Sequence, residues 1–437
     1  NLLHDALGLG EDRPPGAGGL ALRPDGADLP YFLRAYWSWK RRLPFAFRVC
    51  SRGTAGAAPR CKEPRSNLSA AYGEAGRGDE LTRIQRFFAK TITLGVHSGN
   101  ALTAHGDSAS DLYPIRIDRE SLRPGVIFAD PYGHALVLSE LRRDGEGEAA
   151  ALLAVDGQAD GAIDLKPFSE GTFLWRSEGP QGGAGFKHFR PALAYGDGVV
   201  QVADDELGAL AGRDDLWRGY AELEAEAFYD AVREVFDPPP WDPQPQLRHA
   251  VDALAELVRA RVDAVERATA AAAGRRRPVG MPRGAGLFEG TGSWQNLSTP
   301  ARDLRLLMAI DVVLGVAPRV RERPDRFVLR GDVDAAVGAL KRDLDALLRE
   351  PAYSVAYTRS DGSEWTLTLA DIVERSVALE RAYNPNDCPE IRWGAPPESE
   401  EAATCDRRAP AEQRARMERY RGWFHERRFP ARGSKAP

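Results

Sequence analysis

The sequence predicts an α+β fold, in which an antiparallel sheet with a helix precedes a mainly helical C-terminal region with a small β-hairpin. Between Leu112 and about Trp175 the apolar residues form short runs separated by turn residues, a pattern typical of an antiparallel meander. Beyond Gly198 the spacing of apolar residues becomes helical. One helical stripe contains Leu247, Val251, Leu254, Val258, Val262 and Val265.

The N-terminal part is predicted to combine one packed helix with most of the strands. Residues 1–26 are rich in glycine, proline and charge, which indicates an irregular arm. The segment DLPYFLRAYWSWKRR then has helical spacing, with Asp28 as its N-cap and Pro30 in its first turn. LPFAFRVC is typical of a strand, and residues 80–97 of a helix. The predicted strands of the meander are LYPIRI, GVIFAD, HALVLSEL, AALLAVD, AIDLKPF and TFLWR.

The C-terminal part is predicted to be mainly helical. Its predicted helices cover 204–236, 246–272, a segment that begins at Thr299-Pro300, 332–349, LADIVERSVALERAY and 410–427. DPPPWDPQPQ is expected to be a stiff turn between the first two of these helices. YSVAYTRSDGSEWTLTL predicts a hairpin that turns at Asp361-Gly362.

The elements group into four predicted regions. We expect the irregular arm at 1–26, a sheet-containing domain at 27–200, a helical hairpin region at 201–275, and an α-rich region with the β-hairpin and a disulfide loop at 276–437.

The composition limits the classes of partner. The net charge is −5 over 437 residues, which gives no electrostatic reason to expect nucleic acid or an anionic membrane as a partner. No run of about 18 apolar residues occurs, so we expect no transmembrane helix. The glycine-rich stretch GMPRGAGLFEGTGSWQN does not follow a clear strand, so we predict no dinucleotide site and no other cofactor.

The four cysteines form two local pairs. Cys50 and Cys61 bracket one loop, and Cys388 and Cys405 bracket another. This spacing favours two disulfides and an oxidising compartment, either periplasmic or extracellular. Free thiols in a reducing compartment are the alternative, and a metal site is less favoured because no CxxC spacing accompanies the cysteines.

A single histidine, His134, begins a predicted strand within LRPGVIFADPYGHALVLSEL, and it is either a catalytic base or a structural residue. The order of Leu-x-Pro-Gly turn, apolar strand, short polar turn, Gly-His and second apolar strand resembles the core of the NlpC/P60 and CHAP families. These are papain-like cysteine peptidases and amidases that cut cell-wall peptides. The resemblance covers residues 27–175 and implies that His134 is a general base oriented by Asp156 on the next strand. It also implies that Asp130 and Tyr132 in the turn line the cleft.

The same resemblance places a nucleophilic cysteine at the start of the first helix. The matching residues here are Asp28, Leu29, Pro30, Tyr31 and Phe32. The aspartate, the aromatic residue and the helix match, but Leu29 occupies the position of the cysteine. An isobutyl group cannot attack a carbonyl, so this departure removes the chemistry that defines the family. Asp28, Leu29 and Tyr31 remain candidates for the lining of the cleft.

A polar loop, VHSGNALTAHGDS, precedes the strand of His134. Ser98 is the best candidate there for a replacement nucleophile, and His97 and Asn100 are further candidates for the cleft. Polar loops often collect such residues without chemistry, and no GxSxG nucleophile elbow is present.

Three hypotheses of function follow. The first is a papain-like module without the catalytic cysteine that binds a cell-wall peptide, a glycan or a protein partner through the former active-site cleft. The second is an amidase or peptidase that uses another nucleophile beside His134 and Asp156. The third is a structural or assembly protein.

Overall fold

The computed structural model describes residues 3–22, 24–54, 56–69, 77–142, 150–158, 163–175, 183–196, 198–211, 215–289 and 292–430. The chain is mixed α and β, with antiparallel sheets and a helical C-terminal region, as the sequence predicts. It divides into two compact units. Unit 1 comprises Asn1–Phe168 and Leu174–Asp237, and unit 2 comprises Ser169–Phe173 and Pro238–Pro437. The predicted region 201–275 is therefore divided between the two units.

Unit 1 contains six helices and ten strands among its described residues. The helices are α1 (Leu29–Lys40), α2 (Glu80–Arg86), α3 (Thr93–Gly95), α4 (Ser98–Ala101), α5 (Asp204–Ala211) and α6 (Ala225–Phe236). The strands are β1 (Ala46–Cys50), β2 (Cys61–Ser66), β3 (Leu112–Pro114), β4 (Ile127–Ala129), β5 (Ala135–Arg142), β6 (Ala151–Gly157), β7 (Ile163–Pro167), β8 (Gly185–Phe189), β9 (Ala192–Tyr195) and β10 (Gly198–Gln201).

Six of these strands form the main sheet, in the order β3-β8-β4-β5-β6-β7. Strands β4 to β7 form an antiparallel meander, as predicted, because each pairs with the next. The prediction that LYPIRI is the first strand of this meander is wrong, because its strand, β3, pairs with β8 and not with β4. Strand β8 then returns and pairs with both β3 and β4. Strands β1 and β2 form a separate ladder, as do β9 and β10.

The prediction of a strand at TFLWR is wrong for residues 172–175, and Arg176 lies outside the described residues. The backbone N–H groups of Thr172 and Phe173 both donate to the carbonyl of Ser169, at 3.1 and 2.8 Å, so the segment begins as a tight turn. Phe173, Leu174 and Trp175 are nevertheless buried, which is why this apolar run looks like a strand in the sequence.

The predicted helix over 204–236 is interrupted. The N–H of Arg116 donates to the carbonyl of Asp215, and the N–H of Trp217 to that of Pro114, both at 3.0 Å. These bonds hold the segment extended along the end of β3. The chain then makes a 3-10 turn at Gly219–Glu222 before α6 begins. Backbone pairing with the sheet therefore replaces the helical hydrogen bonds here.

Helix α1 packs on an aromatic core. Tyr31, Phe32 and Trp39 of the helix join Phe47, Phe88 and further residues in one buried cluster. A π-helical turn, Phe87–Ile92, contributes to this cluster and joins α2 to α3, so the predicted helix at 80–97 changes its winding partway. The cluster holds the first turn of α1 against the end of the sheet.

The N-terminal arm is irregular, as predicted, but an ion pair anchors it to α1. Glu11 and Lys40 are 1% and 4% exposed, and the Lys40 ammonium binds the carboxylate of Glu11 and lies 2.7 Å from that of Asp12. Burial alone raises the pKa of Glu11. The hydrogen bonds from Lys40 and from the backbone N–H groups of Leu7 and Leu9 outweigh burial and lower this pKa to about 2.

This depressed pKa predicts an acid-dependent loss of stability. The stabilisation by Glu11 is complete above its ordinary value of 4.5 and is lost as the pH falls towards about 2, because the unfolded chain then binds a proton that the folded chain excludes. We expect Lys40→Met to flatten the dependence of the free energy of unfolding on pH across this range. Lys62→Met, at an exposed position of β2, is the control and should keep the wild-type slope. Equal slopes in the two variants would contradict the assignment.

Unit 2 is built on long helices. Its helices are α7 (Pro243–Ala273), α8 (Gly286–Glu289), α9 (Ser293–Leu297), α10 (Pro300–Glu322), α11 (Val333–Leu348), α12 (Leu369–Glu374), α13 (Ser376–Leu379), α14 (Pro389–Arg392) and α15 (Ala411–His425). Its strands, β11 (Val355–Thr358) and β12 (Glu364–Leu367), pair antiparallel as the predicted hairpin, and Gly362 has a φ of 86° in the turn. None of the described helices is both long and apolar enough to span a bilayer.

Helix α7 begins inside the segment that was predicted as a stiff linker turn. The carboxylate of Asp242 accepts from the N–H of Gln244 at 2.9 Å and caps the helix, so α7 starts at Pro243. Proline has no N–H group, and an N–H group at the first helical position would have no acceptor within the helix. The prolines there are therefore compatible with a helix. The prediction of a helix at 246–272 is therefore confirmed, but it begins earlier than expected.

Both predicted disulfides form. Cys50–Cys61 joins β1 to β2, and Cys388–Cys405 closes a loop that contains α14. The second pair fixes a heavily buried segment, since Cys388, Glu390 and Trp393 are all 0% exposed.

Candidate functional site

The predicted pair of His134 and Asp156 comes together at one end of β5 and β6. Asp156 lies opposite Leu136 in the ladder, which places its carboxylate diagonally across from His134. The His134 Nε2 and the Asp156 Oδ1 are 2.5 Å apart. The second oxygen of Asp156 accepts from the Gln158 amide at 2.5 Å. Side-chain alternation in a meander is what allowed the sequence to predict this contact.

Asp130 shapes the turn that positions the imidazole. Its Oδ1 accepts from the backbone N–H groups of Tyr132 and His134, at 2.8 and 2.9 Å. The backbone N–H of Asp130 donates to the carbonyl of His134 at 2.9 Å, and Gly133 adopts a φ of 84°. Asp130 is therefore a positioning residue for His134, and Tyr132 contributes its backbone to the same turn.

The other side of the imidazole faces the backbone of Gly26. A Cβ atom built on Gly26 would lie 2.2 Å from the Cε1 of His134 and 2.3 Å from its Nδ1. The carbonyl of Gly26 also accepts from the N–H of Ala135 at 2.9 Å, which fixes this contact. Within the described ranges, no side chain is hydrogen-bonded to Nδ1. The backbone of Gly26 thus lies against the nitrogen that would activate a nucleophile.

The first turn of α1 is closed by a capping box formed by two aspartates. The Oδ1 of Asp25 accepts from the N–H groups of Ala27 and Asp28 at 2.8 and 3.1 Å. The Oδ1 of Asp28 accepts in return from the N–H of Asp25 at 2.5 Å. Asp25 thus caps the turn that leads into α1. Asp28 occupies the N-cap position of α1, as predicted, but its side chain makes no capping bond to the helix.

Burial and the neighbouring carboxylate of Asp25 raise the pKa of Asp28 to about 8. Asp28 is only 3% exposed, so its carboxyl group is mostly protonated at neutral pH and adds no charge beside the imidazole.

Leu29 and Tyr31 do not present polar groups to His134. Leu29 is 2% exposed, and its Cδ2 lies within van der Waals range of Gly157 at the end of β6. Tyr31 is also buried, and its hydroxyl donates to Asp111 at 3.2 Å. The position that the resemblance assigns to the nucleophile is therefore filled by hydrocarbon that packs on the sheet.

Ser98 lies beside the turn of His134 without engaging the imidazole. A Cβ atom on Gly133 would lie 2.4 Å from the carbonyl oxygen of Ser98 and 2.6 Å from its Cβ, so the two backbones touch. The Ser98 hydroxyl has one contact of hydrogen-bonding length, 3.5 Å from Arg52. Over the residues that the structure describes, it makes no hydrogen bond with His134.

His97 and Asn100 stabilise α4. The Nδ1 of His97 accepts from the N–H of Gly99 at 3.0 Å, and its Nε2 lies 3.0 Å from the carbonyl of Cys50. The Asn100 carbonyl oxygen accepts from the N–H of His97 at 3.2 Å, and its amide donates to the carbonyl of Arg48 at 2.7 Å. Both side chains thus join α4 to β1.

Two buried polar groups of unit 1 were not among the predicted site residues. Asp111 is 1% exposed, and burial raises its pKa to about 6 although it accepts from the backbone N–H of Arg48 and from the Gln201 amide. Lys187 is 1% exposed and donates to the carbonyls of Ala101 and Thr103 at 2.7 and 3.1 Å. Burial lowers the pKa of Lys187 to about 7. No local pattern distinguishes such groups from surface charges in the sequence.

Two groups of metal-ligating residue types lie close enough to share an ion, in the part of the chain that is described. They are Cys388, Glu390 and Cys405, and His4, Asp5 and Asp12. The cysteines of the first group are oxidised to a disulfide, and neither group includes His134.

Comparison with protein-family models, with curated proteins and with solved structures finds no match for this chain.

Proposed function

We propose that the protein is a secreted or periplasmic papain-like module that does not hydrolyse peptide bonds and that binds cell-wall peptide beside His134. One observation carries the proposal. His134 is held between the Asp156 carboxylate and the backbone of Gly26, and Leu29 occupies the position of the nucleophile. An acyl-transfer site needs a nucleophile within hydrogen-bond reach of its base.

The relationship to the papain-like families is supported by the relative placement of three elements. The histidine begins one strand, the aspartate lies on the adjacent strand, and the first turn of α1 lies against the same end of the sheet. The disulfides agree with an oxidising compartment.

The alternative of an amidase with a non-cysteine nucleophile is less well supported. Ser98 is the nearest candidate, but the imidazole offers it no free nitrogen, because Nε2 binds Asp156 and Nδ1 faces Gly26. A hydroxyl without a base beside it is a poor nucleophile at neutral pH.

The edge of the main sheet favours an extended peptide as the ligand. Strand β7 is one of the two edge strands of the described sheet, and its Ile163 and Leu165 are each 54% exposed. Ile163 pairs with Gly157, which contacts Leu29 and Asp25 at the start of α1. A peptide that added to this edge would form backbone hydrogen bonds with β7 and contact both exposed side chains.

Sedimentation with purified cell-wall sacculi tests the proposal. We expect the wild-type protein to sediment with the sacculi without releasing new amino groups, and Ile163→Glu to weaken binding at least tenfold. Leu193→Glu is the matched control, since it places the same charge on β9 at a side chain that is 45% exposed, and it should bind as the wild type does.

Two results would contradict the proposal. Release of amino groups that is lost in His134→Ala would favour the amidase alternative. Absence of binding by the wild-type protein, together with a stable oligomer in size-exclusion chromatography, would favour an assembly protein.

A further inference from the structure

Unit 2 contains two arginines that are buried almost completely. Arg261 of α7 is 0% exposed and Arg392 of α14 is 1% exposed. Arg261 is neutralised, because its Nε and Nη2 donate to the two oxygens of Asp303 at 2.8 and 2.9 Å. Its guanidinium also stacks on the ring of Trp393, 4.6 Å from the ring centre.

Arg392 has no such counterion in the described part of unit 2. The one hydrogen bond that its guanidinium makes to a described residue runs from Nη2 to the hydroxyl of Thr299, at 3.2 Å. The nearby carboxylate of Asp387 accepts instead from the N–H of Ala409 at 2.8 Å and from Arg408 at 3.4 Å. Burial, and then the charge of Arg261, lower the pKa of Arg392 to about 9, although the charges of Asp303 and Asp387 raise it, so Arg392 remains charged at neutral pH. A buried charge that lacks a hydrogen-bonded carboxylate is strongly destabilising.

Several donors in this cluster have no acceptor among the described residues. They are the Nη1 of Arg261, the Nε and Nη1 of Arg392, the Nε1 of Trp393 and the hydroxyl of Tyr383. The residues that carry them touch a common set of neighbours. Arg261 donates to the carbonyl of Ala382, and the carbonyl of Tyr383 accepts from the N–H of Thr299, which in turn binds Arg392 through its hydroxyl. So many unsatisfied donors on buried residues that share neighbours are rare in native proteins.

We propose that this cluster, Arg261, Arg392 and Trp393, binds a small inorganic monoanion such as chloride. The guanidinium and indole N–H groups only donate, so their complement is an acceptor. Asp303 pairs with Arg261 and Asp387 pairs with Arg408, so neither carboxylate is left to neutralise Arg392, and a single negative charge would balance it. A water molecule would accept hydrogen bonds but would leave Arg392 uncompensated. Arg261, Arg392 and Trp393 are all at most 1% exposed, so an anion bound among them must be small.

The site also joins separate parts of unit 2. Arg261 belongs to α7, Asp303 and Thr299 lie at the start of α10, and Arg392 and Trp393 lie in the loop closed by Cys388–Cys405. An anion bound here would hold these three segments together, and binding to the folded state alone would raise the stability of unit 2.

Thermal unfolding of the full chain tests the proposal. At constant ionic strength, we expect Tm to rise by several degrees as sodium chloride replaces sodium gluconate, whose anion is too large for a buried site. Arg392→Met should remove this dependence on chloride. Arg408→Met is the matched control, because Arg408 has a side chain that is 52% exposed and binds Asp387, and it should keep the dependence.

Crystals of the wild-type protein grown in bromide provide a test that needs no variant. We expect one anomalous peak within hydrogen-bond distance of Arg392. Absence of this peak would overturn the proposal and leave water as the occupant, even if Arg392→Met fails to fold. Chloride-dependent stabilisation that persists in a folded Arg392→Met would place the anion elsewhere and would also overturn it.

Discussion

Replacement of Asp303 by asparagine is expected to destabilise unit 2 by about 3–5 kcal/mol, the range found when one partner of a buried ion pair is removed. Asp303 and Arg261 are both 0% exposed, and two hydrogen bonds join them. The amide oxygen could accept only one of these bonds, and its NH2 group would face a guanidinium that also donates. Arg261 would remain charged and buried without a carboxylate.

Urea unfolding followed by circular dichroism at the helical band would measure this loss. Asp311→Asn is the matched control, because Asp311 lies on the same helix, α10, and pairs with Arg427 while its side chain is 50% exposed. An exposed pair contributes less than about 1 kcal/mol, so this variant should remain close to the wild type. Similar losses in the two variants would show that the Arg261–Asp303 pair is not the buried, desolvated contact described above.

The features that could be predicted from the sequence are those formed by segments that follow one another closely in the chain. The meander of β4 to β7 and the hairpin at Asp361-Gly362 follow from local alternation and turn residues, and both form. Short loops made the two disulfide pairings the expected ones. The contact between His134 and Asp156 was also predictable, because consecutive strands of a meander lie side by side.

The arginine cluster of unit 2 could not be predicted in this way. Arg261 and Asp303 are 42 residues apart, and each lies in a helical pattern where a charged residue normally indicates the solvent face. Arg392 lies in a loop rich in charge and proline. Which charged residues become buried depends on how α7, α10 and the loop pack, and hydrophobic periodicity does not encode that packing.

The structure at the start of α1 could be predicted from the sequence only in part. The sequence Asp-Gly-Ala-Asp at 25–28 contains the spacing of a capping box, so Asp25 could have been recognised as the cap. The contact of Gly26 with His134 could not be predicted, because the two residues are distant in the chain and a glycine has no side chain from which a contact could be inferred.

Replacement of Gly26 by alanine would crowd the imidazole of His134 and so disturb the contact on which the proposed function rests. The new methyl group would lie 2.2 Å from the Cε1 of His134 and 2.7 Å from the carbonyl oxygen of Gly157. Overpacking of this kind destabilises by about 1–3 kcal/mol, measured by urea unfolding. Gly16→Ala is the control, because nothing lies within 4 Å of a Cβ there, and it should be neutral or slightly stabilising.

A double-mutant cycle with His134→Ala separates the imidazole from the rest of the contact. His134→Ala alone should destabilise the protein by about 1–3 kcal/mol, because it leaves the largely buried Asp156 without one of its partners. In the double variant the methyl group no longer clashes with the imidazole ring, and only the Gly157 carbonyl resists it. The losses of stability in the two single variants should therefore sum to more than the loss in the double variant. Strict additivity would mean that Nδ1 does not face Gly26. The nitrogen would then be accessible to a nucleophile, and the amidase alternative would regain the base that it requires.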